Sequence, residues 1–278
     1  MRFRRRKPRP HLRPVVPVAD EIVVRPAARR RGIYLLPNLF TMAALFAGFF
    51  AIVQAMNQRF EAAAIAIFVA MVLDGMDGRV ARLTNTQSAF GEQLDSLSDM
   101  TSFGVAPALV MYEWILSGLG RWGWAGAFVY CACAAARLAR FNANLGVVDK
   151  RFFQGLPSPA SAALIAGFVW LAIDNKFPIR ETWLPWVAFA LTVYAGFTMV
   201  SSAPFYSGKS FHVGRSVPFW VLVALIALIF VVSSDPPIAL FTLFCAYAFS
   251  GYVYWAWRWF RGEANPAKPA PPEPPKAA

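Results

Sequence analysis

A chain of 278 residues that is 58% hydrophobic and only 15% charged is not an ordinary soluble domain, in which about a quarter of residues are charged. Its 27 Lys and Arg against 15 Asp and Glu give a net charge of +12, and 11 of the basic residues fall within the first 31 positions. Beside long apolar runs, such a basic tail suits anionic lipid headgroups better than nucleic acid, so a nucleic-acid partner is not expected. Cys131, Cys133 and Cys245 all lie in apolar segments. They form neither a disulfide framework nor a zinc-ligand spacing.

In chain order, residues 1–32 are rich in Arg and Pro without helical period and read as a disordered basic tail. Eight apolar segments follow, at about 33–56, 60–74, 95–117, 122–141, 159–174, 183–201, 216–232 and 237–258. Several approach the ~20 residues a helix needs to cross a bilayer. The expectation is an all-α polytopic membrane bundle over 33–260 with about eight transmembrane helices. The Pro-rich end 261–278 reads as a second disordered tail. With eight spans, 23 basic residues lie on the side of the termini and only Arg59, Arg121, Lys176 and Arg180 on the other. That asymmetry places both termini in the cytoplasm, in an inner (cell) membrane.

Four aspartates sit within 26 residues, in LDGMDGRVARLTNTQSAFGEQLDSLSD. Carboxylates near membrane depth cost about 2.5 to 3.5 kcal/mol at a span centre, so each needs compensation or a role. Asp74, Asp77, Gly78, Ala81 and Arg82 share one helical face, and Gly91, Asp95 and Asp99 repeat the pattern on the next helix. Four carboxylates without His or Cys suit Mg²⁺ or Mn²⁺, with Ca²⁺ also open to such an oxygen set. They are enough for two ions, the arrangement used for displacement at phosphorus. Gly78 and Gly91 would admit a phosphate close to the backbone, and Arg82 could pair with it. The competing reading, a solvated loop, accounts for one or two acids but not for four on two stripes.

The run Asp74-x-x-Asp77-Gly78-x-x-Ala81-Arg82, eight residues, then Gly91-x-x-x-Asp95-x-x-x-Asp99 resembles the signature of the CDP-alcohol phosphatidyltransferases at every fixed position. The resemblance implies a membrane enzyme, a homodimer, that displaces CMP from a CDP-linked lipid with an alcohol. It implies Asp74, Asp77 and Asp95 as metal ligands, and Asp99 as a ligand that is also the general base. Gly78, Ala81, Arg82 and Gly91 would line the CDP-lipid site, joined by Asn38 and Thr41 of PNLFT.

Three further stretches, SDMTSFGVAPA, AARLARFNAN with FQGLPSPA, and MVSSAPFYSGK, resemble the branch of that family whose acceptor is L-serine. The substrates implied are CDP-diacylglycerol and L-serine, with glycerol phosphate or inositol phosphate as alternative acceptors. A zwitterion needs a cation for its carboxylate and oxygens for its ammonium. Arg137, Arg140, Asn142, Ser158, Ser202 and Lys209 fall on the cytoplasmic side and are the candidates. Arg137 and Arg140, three apart, could share a face, although flanking charge would account for them equally well. His212 has no carboxylate to orient it, Glu113 lies near the opposite interface, and the Trp residues read as interfacial belts among membrane lipids. A cation-coupled transporter is the rival from another class, but no inverted repeat of the acidic cluster occurs in the second half. A membrane anchor working through the basic tail leaves the acids unexplained.

Overall fold

The structure is a computed structural model that describes residues 35–84, 86, 88–143, 152–175, 183–206 and 219–261. The tails 1–32 and 262–278 and the segment carrying Lys209 lie outside the described residues. Those residues are mostly helical. The helices are α1 (Leu35–Met56), α2 (Phe60–Leu83), α3 (Ala89–Asp99), α4 (Ala106–Trp114), α5 (Arg121–Ala143), α6 (Ser158–Asp174), α7 (Leu184–Val200), α8 (Phe219–Ser234) and α9 (Pro236–Phe260). One departure from an all-α chain is a two-strand antiparallel ribbon, β1 (Phe152–Gln154) on β2 (Pro204–Tyr206), in which Phe153 faces Phe205.

Small residues let α1 and α2 approach. Ala44, Ala47, Ala51 and Ala55 recur at steps of three and four and are buried on α1, as are Ala63, Ala64, Ile67 and Ala70 on α2. Close backbone packing of this kind drives helix association where lipid removes the hydrophobic advantage of burial. The other side of α1 exposes Leu39, Met42, Phe46 and Phe49, an apolar stripe suited to acyl chains. α6 is the hub, with twelve buried residues, and it packs against α2 and α9. α8 is apolar on all sides and leans on α9. Helices α1, over Leu36–Met56, and α9 are long and apolar enough to cross a membrane, whereas α6 and α7 are apolar but shorter.

Two boundaries differ from the hydropathy pattern. α2 does not stop where its apolar run ends near 74 but continues to Leu83, carrying Asp74 and Asp77 in its last three turns. Backbone hydrogen bonding does not depend on side-chain polarity, so charge ends an apolar run without ending a helix. The segment expected at 95–117 begins earlier, at Ala89, where the Ser88 side chain caps α3 by accepting the Gly91 N–H at 3.1 Å. It then passes through a π-helical stretch, Met100–Val105, into α4.

The π-helical stretch is held from two sides. Ser98 and Ser102 donate to the Thr41 and Ala44 carbonyls of α1, each at 3.1 Å. Buried Tyr130 of α5 donates to the Phe103 carbonyl at 3.0 Å. At Gly48 any side chain would collide with the Ser102 backbone, so glycine is what lets α1 lie against this stretch.

Candidate active site

Two groups of side chains form where α1, α2 and α3 meet. In the first, one carboxylate oxygen from each of Asp74, Asp95 and Asp99 lies within 4.8 Å of the other two. Asp74 comes from the last turns of α2, and Asp95 and Asp99 from successive turns of α3, where a step of four puts them on one face. Three carboxylates this close repel one another strongly in a partly buried setting unless a cation or proton lies between them. Asp95 Oδ1 and Asp99 Oδ1 are moreover buried without a hydrogen-bond partner. Orphaned anionic oxygens in an all-oxygen cluster fit a hard divalent cation.

The second group surrounds a cleft of ≈ 200 Å³ lined by Pro37, Asn38 and Thr41 of α1, Asp77, Gly78 and Ala81 of α2, and Thr86, Ser88, Gly91, Glu92 and Asp95. Asp77 belongs to this cleft rather than to the close trio. Its Oδ2 accepts a hydrogen bond from the buried Thr41 hydroxyl at 2.8 Å. Asp95 borders both groups and interacts electrostatically with Asp74 and Asp77. Gly78 faces open space, with nothing beyond the neighbouring backbone of its own helix within 4 Å of where a Cβ would stand. A Cβ on Gly91 would stand 3.2 Å from Asn38 Oδ1, so Gly91 keeps α3 close to α1.

Of the positions expected to contact the CDP lipid, Asn38, Thr41, Gly78, Ala81 and Gly91 all line this cleft. Arg82 does not; it is exposed, and its Nε donates to the Gly78 carbonyl of its own helix at 3.0 Å. Thr86, Ser88 and Glu92 also line the cleft, although sequence reasoning passed over them. Ser88 carried a readable signal, a cap-type residue three before Gly91 at a helix start. Glu92 carried none beyond its place next to Gly91.

The acceptor candidates divide. Arg137, buried on α5, donates from Nη1 to the buried Ser158 Oγ at 2.6 Å and interacts electrostatically with Asp99. Asn142 reaches α3, donating to Ser96 Oγ at 3.0 Å. Arg140 does not join Arg137. Its guanidinium is taken up by backbone carbonyls: Val200 at 2.8 Å, Gln154 at 3.0 Å, Met199 at 3.2 Å and Ser201 at 3.4 Å. Ser202 is exposed beside β2.

Residues 34–194 match the CDP-alcohol phosphatidyltransferase family, and that match includes both acidic stripes. The chain belongs to this family. Among relatives, a CDP-diacylglycerol–serine O-phosphatidyltransferase of Helicobacter pylori is 36% identical over 223 residues, covering 80% of this chain and 92% of that protein. Proteins of the same name from Mycobacterium leprae and Saccharomyces cerevisiae are 40% and 34% identical, over 54% and 50% of this chain and 52% and 57% of their own lengths. Family membership together with two long apolar helices makes the chain a membrane protein. In this CDP-alcohol phosphatidyltransferase the acidic trio and the cleft are neighbours that share Asp95.

Proposed function

We propose that the chain makes phosphatidylserine and CMP from CDP-diacylglycerol and L-serine. The observation that carries this reading is the similarity over 92% of the Helicobacter pylori serine enzyme, with the acidic trio beside a cleft as the physical support. The membrane domain is 33–260, with about eight spans, cytoplasmic tails at both ends and an active site facing the cytoplasm of an inner membrane. It works as a homodimer among membrane lipids.

Asp74, Asp77, Asp95 and Asp99 would hold two divalent ions, Mg²⁺ or Mn²⁺. Bound there, such ions would supply charge neutralisation of the pyrophosphate oxygens and stabilisation of the departing CMP. The chain's own groups do the rest. Thr41 keeps the Asp77 carboxylate turned to the cleft, where Asn38, Gly78, Ala81 and Gly91 admit the nucleotide, with Arg82 at the margin. Asp99 takes the proton of the serine hydroxyl as that oxygen attacks the β-phosphorus. The new P–O bond joins serine to the lipid phosphate, the bond to the bridging oxygen breaks, and CMP leaves with that electron pair. Arg137, buried beside Asp99 and steadied by Ser158, offers its remaining donors to the serine carboxylate, and Asn142 borders the same side.

The test is CMP release by the purified full chain given CDP-diacylglycerol, Mg²⁺ or Mn²⁺, and one acceptor at a time. Release with L-serine and not with glycerol 3-phosphate or inositol phosphate is expected. Labelled glycerol 3-phosphate entering lipid while serine does not would reverse the acceptor assignment.

A further inference from the structure

The least expected arrangement lies one helical turn beyond Arg137. Four carbonyl oxygens converge on the Arg140 guanidinium: three belong to the C-terminal end of α7 and its exit, and the fourth is that of Gln154 at the end of β1. The last carbonyls of a helix lack intrahelical partners and carry the negative end of its dipole, so a cation there both caps and anchors. The chain after Gln154 is pinned at the same spot. Gly155 N–H donates to the Ala203 carbonyl at 2.9 Å and Leu156 N–H to the Thr198 carbonyl at 3.0 Å. Gly155 has φ +77°, and any side chain there would strike the Met199 carbonyl. Three residues after Gly155, α6 opens with Ser158, the partner of Arg137.

We propose that Arg140 is a positioning residue: it ties α5 to the end of α7 and to the β1 exit, and so sets where Ser158 holds Arg137 beside Asp99. It does not bind the acceptor. This role rests on the reading of Arg137 as the acceptor's cation. Its structural half stands without it, because hydrogen bonds to carbonyls do not depend on what the site binds. A charged side chain held by several carbonyls at a partly buried junction is costly to remove, since each released carbonyl must find a new donor.

The test pairs amide hydrogen exchange with kinetics, using the full chain in nanodiscs of phosphatidylglycerol and phosphatidylcholine. Without substrate, Arg140→Ala should lower protection of the Gly155 and Leu156 amides about tenfold or more, leaving α1 to α3 unchanged. In turnover, the serine KM should rise while the CDP-diacylglycerol KM holds. Arg140→Lys should restore most of both, because an ammonium still donates to carbonyls. Unchanged protection at Gly155 and Leu156 with a raised serine KM would make Arg140 a substrate ligand and overturn the proposal. Lost protection with unaltered kinetics would overturn its functional half. If Arg140→Ala loses protection throughout the bundle, Arg140→Lys decides by the same two readings. A wild-type chain that ignores serine would overturn the acceptor assignment alone, and the exchange comparison would still decide the brace.

Discussion

The acidic stripes of α2 and α3 and the arginine pair of α5 present the same pattern in sequence, charged residues three or four apart at the end of an apolar run, but they meet different fates. Asp95 and Asp99 stay together, each with one carboxylate oxygen within 4.8 Å of one from Asp74 and each with a buried Oδ1 that lacks a hydrogen-bond partner. Arg137 and Arg140 separate, one to Ser158 and the acids, the other to the carbonyls closing α7. Helical spacing puts side chains on a shared face but does not choose their partners. For carboxylates that need a common cation, shared facing is itself the function. For long guanidinium side chains with five donors each, the nearest unsatisfied acceptors decide, and these come from elements 14 to 61 residues away.

The largest effect that would break this comparison is expected at the trio. Alanine at Asp74, Asp95 or Asp99 should lower turnover by about 10³-fold or more, and chelation should do the same reversibly. Full activity in a sample shown to be free of metal would remove the cation from the account. Asp99→Asn separates ligand from base: nucleotide and metal binding, followed by titration calorimetry, should persist while most of kcat is lost. Wild-type turnover in that variant would mean that no base is needed at this position.

A smaller effect tests the other side. Arg137→Ala should raise the serine KM roughly ten- to hundredfold, as expected for removing a charged hydrogen-bonding group, with little change in that for CDP-diacylglycerol. Arg137→Lys keeps the charge and guards against misfolding. An equal loss for both substrates would move Arg137 into the acidic group as a counter-charge and erase the division between the two regions.

The smallest and sharpest test is Gly78→Ala. Beyond the neighbouring backbone of its own helix, no protein atom lies within 4 Å of the new methyl, and alanine is favoured over glycine in a helix by about 1 kcal/mol, so the melting temperature should hold or rise. The KM for CDP-diacylglycerol should nonetheless increase about tenfold if the nucleotide lies against this backbone. Unchanged affinity would place the nucleotide elsewhere than the cleft.

Much of this protein was legible in one dimension because its determinants are local. The apolar runs match α1 and α5 to α9 to within about three residues at each end, since the low charge of an apolar helix is written in composition. That Asp95 and Asp99 share a face followed from spacing, because carboxylates at a step of four on a helix have one direction in common, whereas the approach of Asp74 from α2 did not. Tertiary structure alone decided the rest. It placed Asp77 with Thr41 in the cleft and continued α3 into a π-helical stretch whose Phe103 carbonyl is met by Tyr130. It also drew Arg140 away from Arg137. Each of these choices depends on a donor or acceptor supplied by a distant segment or released by a particular turn, and the demand that buried polar groups find partners is met only once the helices have packed.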